Sequence, residues 1–294
     1  MKKIGYWIEA MRLRTLPVSL AGVAAGVAYA LMDNSFKAAP AILCAVFAVL
    51  AQIASNFGNE YFDFKAGLDR VGREGPRRGV TEGDITPGAM KAATFITLGL
   101  ACCVGLSLIV WGGWWLLAAG AVIALGALGY SAGPYPFSHH ALGEIAVIVF
   151  FGLIPINLTF YLQSATFSIT VLIGSIAFGL MIANVLLVNN YRDLEDDAAV
   201  GKRTLAVVMG RGVSSSLYLT NGWVGAMLTA PDWLAMGIWW TAVPAAYLLL
   251  HTMLWCYLIN RRGARLNPLL GMTAVLTLCY ALLLMTAAAL SGGC

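Results

Sequence analysis

The stretch AILCAVFAVLAQIASNFGNEYFDFKAGLDR (Ala41–Arg70) decides the fold. It carries no charged residue until Glu60, and that uncharged half is about as long as the ~20 apolar residues a helix needs to cross a hydrocarbon layer roughly 30 Å thick. Its end gathers Glu60, Asp63, Lys65, Asp69 and Arg70 within one short segment. An apolar span closing on a knot of charge reads as a membrane helix that delivers acids to the bilayer boundary.

The rest of the chain has the same character. Of 294 residues, 60% are hydrophobic and 11% charged, whereas soluble domains run near a quarter charged; mean hydropathy is +0.80. A soluble globule and a disordered chain are both excluded, since so apolar a sequence collapses out of water. Apolar runs bounded by charges, Gly and Pro predict nine spans: 16–32, 39–59, 92–110, 114–131, 142–161, 169–190, 214–230, 233–259 and 268–290. Pro231 and Asp232 alone separate the seventh from the eighth. The expectation is an all-α, polytopic nine-helix membrane bundle, one integral-membrane domain over residues 1–294. MKKIGYWIEAMRLRTLP (Met1–Pro17) lacks the short apolar core and small-residue cleavage site of a signal peptide, so the first crossing is expected to be retained.

Charge sets the orientation, because cytoplasmic loops carry the excess of Lys and Arg. With nine spans and a cytoplasmic N-terminus, 17 of the 18 basic residues fall on one side, leaving only Lys37 opposite. Fusing spans seven and eight would put Arg261, Arg262 and Arg265 outside. A bacterial inner (cytoplasmic) membrane is expected, with the charged site on its cytoplasmic side.

Six cysteines have no CxxC pair and read as small buried hydrophobes. His251 is alone in an apolar span, and the His139/His140 pair has no third ligand nearby in sequence, so zinc and haem sites are not expected. A net charge of +4 and no RNP, KH or zinc-knuckle pattern argue against a nucleic-acid partner.

Ten of the fourteen carboxylates lie in two inner loops: Glu60, Asp63, Asp69, Glu74, Glu82 and Asp84 in the first, and Asp193, Glu195, Asp196 and Asp197 in the second. The first loop opens on NFGNEYFDFKAGLDR (Asn56–Arg70), the second on NNYRDLEDDAAVGKRT (Asn189–Thr204). Asn59 precedes Asp63 by four residues, and Asn189 precedes Asp193 likewise; on a continuing helix each pair shares a face, which Asp197 extends. Asp63 and Asp69 are six residues apart, about 240° on an ideal helix, so the chain must bend between them, and Gly67 is the place for it. The two segments are four spans apart, emerge on the same side, and read as an internal duplication.

Carboxylates gathered at the membrane boundary repel unless a cation binds between them. Asp and Asn oxygens are hard ligands suited to Mg²⁺, which shares its shell with substrate phosphates. Lys65, Arg70, Arg77, Arg78, Arg192, Lys202 and Arg203 stand around the acids and suit phosphate oxygens. Acid, metal and base beside lipid describe a site for a lipid-borne diphosphate.

These motifs resemble those of the UbiA-type intramembrane prenyltransferases, in the branch that prenylates 1,4-dihydroxy-2-naphthoate for menaquinone synthesis. The resemblance spans most of the chain. It rests on MRLRTLP (Met11–Pro17), on SNFGNEYFDFKAGLD with GPRRG (Gly75–Gly79), on GEIAVIVFFG (Gly143–Gly152), on NNYRDLEDDAAVGKRTLAVVMG (Asn189–Gly210), and on the six-residue step from Asp63 to Asp69. One position departs: Glu60 stands where the family commonly has Asp. The resemblance implies transfer of a polyprenyl group from its diphosphate to the naphthoate, with loss of carbon dioxide and diphosphate. It implies one Mg²⁺ on Asn59, Asp63 and Asp69, and a second on Asn189 or Asn190, Asp193 and Asp197. Lys65, Arg78, Arg192 and Lys202 would neutralise the diphosphate. Phe150, Phe151, Tyr161, Gly152 and Gly179 are candidates to line the isoprenoid path. Arg12 or Arg14 are candidates for the naphthoate carboxylate, or serve as topology anchors, and Tyr130, Tyr135 or Glu144 for its ring or hydroxyls. Hydroxybenzoate prenylation is the nearest alternative; an ion-coupled transporter and a lipid phosphotransferase fit the charge placement less well.

Overall fold

The computed structural model describes residues 2–69, 71–72, 75–133 and 135–291, without the side chains of Lys2 and Lys3. Arg70, Arg73, Glu74 and Cys294, part of the sequence reading, lie outside the described residues.

In chain order the helices are α1 (Lys2–Ala10), α2 (Leu16–Met32), α3 (Ala38–Lys65), α4 (Pro87–Ser107), α5 (Ile109–Gly112), α6 (Leu116–Gly129), α7 (Gly143–Val147), α8 (Ile154–Ser164), α9 (Ile169–Arg192), α10 (Leu194–Ala199), α11 (Leu205–Met236), α12 (Ala242–Ile259) and α13 (Asn267–Ser291). Local chemistry sets several ends. Thr86 and Thr204 cap α4 and α11 by accepting from Ala89 N and Val207 N. Prolines sit in the first turn of α2 and α4, where a missing N–H costs nothing.

Helices overlie each of the nine expected ranges, but fewer of them are of membrane-crossing length. Among the described residues, seven segments are long and apolar enough to cross a membrane; α6 is apolar but only 14 residues long, and α11 is not among the seven. The protein is an integral membrane protein. Its outward face is apolar, with Val110, Leu125 and Trp239 largely exposed. Cys102, Cys103, Cys256 and Cys279 are also exposed, so that among the described cysteines only Cys44 is buried as expected. In a bilayer protein the apolar outside is as good a home for a thiol as the core.

The expected break at Pro231–Asp232 does not occur there. α11 runs through both residues to Met236, and Gly237, at φ 131°, makes the turn instead. Buried contacts hold the segment helical: Tyr29 Oη donates to Asp232 Oδ2 at 2.7 Å, and Trp233 Nε1 donates to Tyr280 Oη at 2.7 Å. Tertiary partners override the proline signal.

α2 and α9 form the centre of the bundle and approach their neighbours through small residues, the usual device where lipid offers no hydrophobic drive between helices. A Cβ at Gly26 would lie 2.8 Å from Ile156 O. A Cβ at Gly152 would lie 2.4 Å from Gly179 Cα, so these two glycines are a backbone-to-backbone contact and not a lining of the isoprenoid path. Gly152 belongs to a π-helical stretch, Ile148–Leu153, that turns Phe150 and Phe151 toward an apolar cavity between α3, α4, α6 and α8.

Candidate active site

α3 and α9 end at the same end of the bundle, each in an acidic segment. α3 closes with Gly67 at φ 71°; Leu68 N bonds to Asp63 O at 2.9 Å and Gly67 N to Phe64 O at 3.0 Å. This left-handed closure is the bend predicted between Asp63 and Asp69. The second segment uses the same closure one short helix later. Gly201 has φ 76°, Lys202 N bonds to Asp197 O at 2.9 Å and Gly201 N to Ala198 O at 3.2 Å.

These closures aim four carboxylates at one gap. Asp63, Asp69, Asp196 and Asp197, with Lys202, line a polar cavity of about 20 Å³. Lys202 Nζ stands 3.9 Å from both Asp63 Oδ2 and Asp197 Oδ1, tying the segments together. His139 Nε2 lies 3.4 Å from Asp63 Oδ1, and Arg78 Nε lies 3.5 Å from Asp69 Oδ2. The loop bearing His139 is docked by backbone: Arg203 N donates to His139 O at 3.2 Å, and His140 pairs with Arg203 as an isolated parallel bridge.

The donor set fits Mg²⁺. It consists of hard carboxylate oxygens from both halves, and among the described residues no three acids or histidines close into a ready cage. An open gap of oxygens beside cations suits an ion that completes its shell with phosphate and water.

Other predicted residues lie elsewhere. Arg192 and Asp193 are buried against each other: Arg192 Nε and an Nη bond to the two Asp193 oxygens at 2.7 and 2.8 Å. The same guanidinium donates to Asn189 Oδ1 at 2.8 Å and Asn267 Oδ1 at 3.0 Å. Arg192, Asp193 and Asn189 thus form a forked brace on α9 and do not line the acidic gap. The reason is that α9 stops at Arg192, and α10 carries the chain onward so that Asp196 joins the expected Asp197 at the gap. Asn190 Nδ2 donates to Glu144 Oε1 at 2.8 Å, so each is the other's partner. Asn59 accepts from Ser131 Oγ. Glu60 is 1% exposed and accepts from Val80 N at 3.0 Å; its extra methylene reaches the loop after α3 and pins it.

Lys65 and Arg14 are exposed, while Arg12 is half-buried at φ 52° and exerts its charge on Asp63 and Tyr130. Arg77 pairs with Asp84 at 2.5 Å, outside the gap. Arg211 bonds to Glu195 and thereby holds that exposed carboxyl below its ordinary range.

Below the acids lies the apolar cavity, about 330 Å³, lined by Phe150, Phe151, Leu158 and Leu162 and reaching up to Gln52, Ser55 and Tyr130. Tyr161 is not in its wall; it meets Trp115 edge-on and stacks with Phe167 at the far end of α8. Sequence reasoning missed Asp196, His139 and Ser131. Asp196 was hidden by register, and the other two come from a loop whose docking no periodicity reveals.

The sequence profile of the UbiA prenyltransferase family matches residues 18–272. A relative named 1,4-dihydroxy-2-naphthoate octaprenyltransferase from Escherichia coli (strain K12) is 37% identical over 212 residues, 69% of this chain and 68% of that protein. One of the same name from Haemophilus influenzae is 32% identical over 293 residues, 94% and 93% of the two chains. In fold, the chain is similar to a UbiA homolog from Archaeoglobus fulgidus solved with GPP and Mg²⁺, with a TM-score of 0.68 at 16% identity over 96% of this chain and 99% of that one.

Proposed function

This chain belongs to the UbiA prenyltransferase family, and we propose that it transfers a polyprenyl group from a polyprenyl diphosphate to 1,4-dihydroxy-2-naphthoate, releasing diphosphate and carbon dioxide and giving demethylmenaquinol. The observation that carries the chemistry is the meeting of Asp63, Asp69, Asp196 and Asp197 around Lys202 at the head of an apolar cavity. The acceptor is supported by the two relatives' names.

Mg²⁺ bound by Asp63, Asp69, Asp196 and Asp197 would supply positive charge to the departing diphosphate. Lys202 and Arg78, already beside the acids, would hold phosphate oxygens as the carbon–oxygen bond breaks and negative charge collects on the leaving group. His139 orients Asp63. The isoprenoid lies in the apolar cavity, where Phe150 and Phe151 exclude water from the allylic cation. The naphthoate ring supplies the electron pair for the new carbon–carbon bond, and the bond to its carboxylate carbon breaks to restore aromaticity, so no side-chain nucleophile is required. The Arg192–Asp193–Asn189 brace acts by fixing the end of α9, from which α10 projects. We assign the site to the cytoplasmic side of a bacterial inner membrane, from the one-sided distribution of Lys and Arg.

The test is transfer by membranes holding this protein, given a polyprenyl diphosphate, Mg²⁺ and either 1,4-dihydroxy-2-naphthoate or 4-hydroxybenzoate. Naphthoate prenylation is expected; transfer to hydroxybenzoate alone overturns the reading.

A further inference from the structure

Two residues in the wall of the apolar cavity carry a buried polar atom that has no hydrogen-bond partner among the described residues. Gln52 Oε1 and Ser19 Oγ are both buried, at 8% and 4% residue exposure, both lack a hydrogen-bond partner, and both residues line the cavity wall. The orientation of Gln52 is fixed by a chain of bonds anchored on backbone. Asn56 Nδ2 must face Met11 O, at 2.9 Å, because a carbonyl can only accept. Asn56 Oδ1 therefore faces Gln52, whose Nε2 donates to it at 3.3 Å and to Thr15 Oγ1 at 3.3 Å. Gln52 Oε1 is left without a donor in a residue of the cavity wall.

A buried amide oxygen without a donor costs about 1–3 kcal/mol. An isoprenoid chain is hydrocarbon beyond its diphosphate and cannot repay that cost, so a cavity shaped for isoprenoid alone would be better lined by Leu. A hydroxyl on a molecule in the cavity would supply the missing donor. Gln52 lies eleven residues before Asp63 on α3, roughly 16 Å of helix rise. That span leaves room for the diphosphate, the reacting carbon and a bicyclic ring between the acids and Gln52. The same bond network ends on Thr15 and Met11, flanking Arg12, one of the two arginines that are candidates for the acceptor's carboxylate.

We infer that Gln52 and Ser19 form the hydroxyl-recognising floor of the aromatic acceptor subsite, with Gln52 Oε1 accepting from the ring hydroxyl farther from the diphosphate. This rests on the functional reading above. Gln52 is a specificity-determining residue: it selects a dihydroxy ring over a monohydroxy one and leaves the prenyl donor unaffected.

The experiment compares 1,4-dihydroxy-2-naphthoate with 1-hydroxy-2-naphthoate in wild type, Gln52→Leu and Ser19→Ala, measuring KM for each acceptor and for the prenyl diphosphate. Loss of one hydrogen bond predicts about a tenfold rise in the diol KM for Gln52→Leu and a smaller rise for Ser19→Ala. The monohydroxy KM and the diphosphate KM should stay unchanged. Ser19→Ala breaks no internal hydrogen bond, so it remains informative if Gln52→Leu fails to fold. Equal shifts for both acceptors, a shift in the diphosphate KM, or no shift in either variant overturns the inference while wild-type turnover of the diol upholds the function. Wild-type inactivity on the diol overturns both.

Discussion

Asp63 and Asp197 hold the same position in two copies of one helix-ending motif: each gives its backbone carbonyl to the N–H five residues on, across a left-handed glycine, Gly67 or Gly201. The shared closure explains why carboxylates from distant parts of the chain meet at one gap with Lys202 between them. It also sets the register of the internal repeat, pairing Asp63 with Asp197 and Asn59 with Asp193.

Asp63→Asn and Asp197→Asn should each lower transfer by at least about a hundredfold, the scale of losing a preorganised charge contact in a water-poor site. Both variants keep the volume and should melt near wild type. Near-normal turnover of either, measured in membranes with the folded fraction checked by thermal unfolding in detergent, would contradict the site.

Gly201→Ala tests the closure itself. A Cβ meets no atom there but must adopt φ 76°, which costs roughly 1 kcal/mol and favours unwinding of the turn. Stability should fall slightly and the diphosphate KM should rise, because Lys202 follows directly. A KM unchanged within twofold would show that the turn does not position Lys202.

Arg192 separates a brace from a catalytic group. Replacing it with Leu strands a buried Asp193 carboxylate, and breaking such a pair costs about 3–5 kcal/mol. Arg192→Leu should therefore unfold at markedly lower temperature, and Arg192→Leu/Asp193→Leu should recover much of that loss. If Arg192→Leu melts like wild type while activity falls, Arg192 contacts the diphosphate after all.

Much of this site was legible in the sequence, and the limits are physical. Span positions followed from hydropathy because a membrane helix has to be apolar over its whole length, and the Gly67 bend followed from helix geometry. Matching the segments by residue type pairs Asn59 with Asn189 and brings both Asp193 and Asp197 to the site; the backbone matches the glycine closures one turn on, and there Asp196 lines the gap beside Asp197 while Asp193 pairs with Arg192. Type identity is a weaker guide than turn chemistry, since only the turn fixes direction. His139 was unreadable because its place depends on a bridge between two loops, and the α11 boundary because Asp232 finds Tyr29 across the bundle.

Metal dependence supplies a last test. Four carboxylates against Lys202 and Arg78 leave the gap acidic, so a diphosphate entering without a divalent cation meets net repulsion. Chelation with EDTA should abolish transfer and added Mg²⁺ restore it. Asp196→Asn removes one negative charge from the gap, so it should raise the Mg²⁺ concentration needed for half-maximal rate severalfold. Asp193→Asn, on the brace outside the gap, should lower the melting temperature and leave that concentration unchanged. The reverse pattern, read from Mg²⁺ titrations of the two variants, would return Asp193 to the metal site.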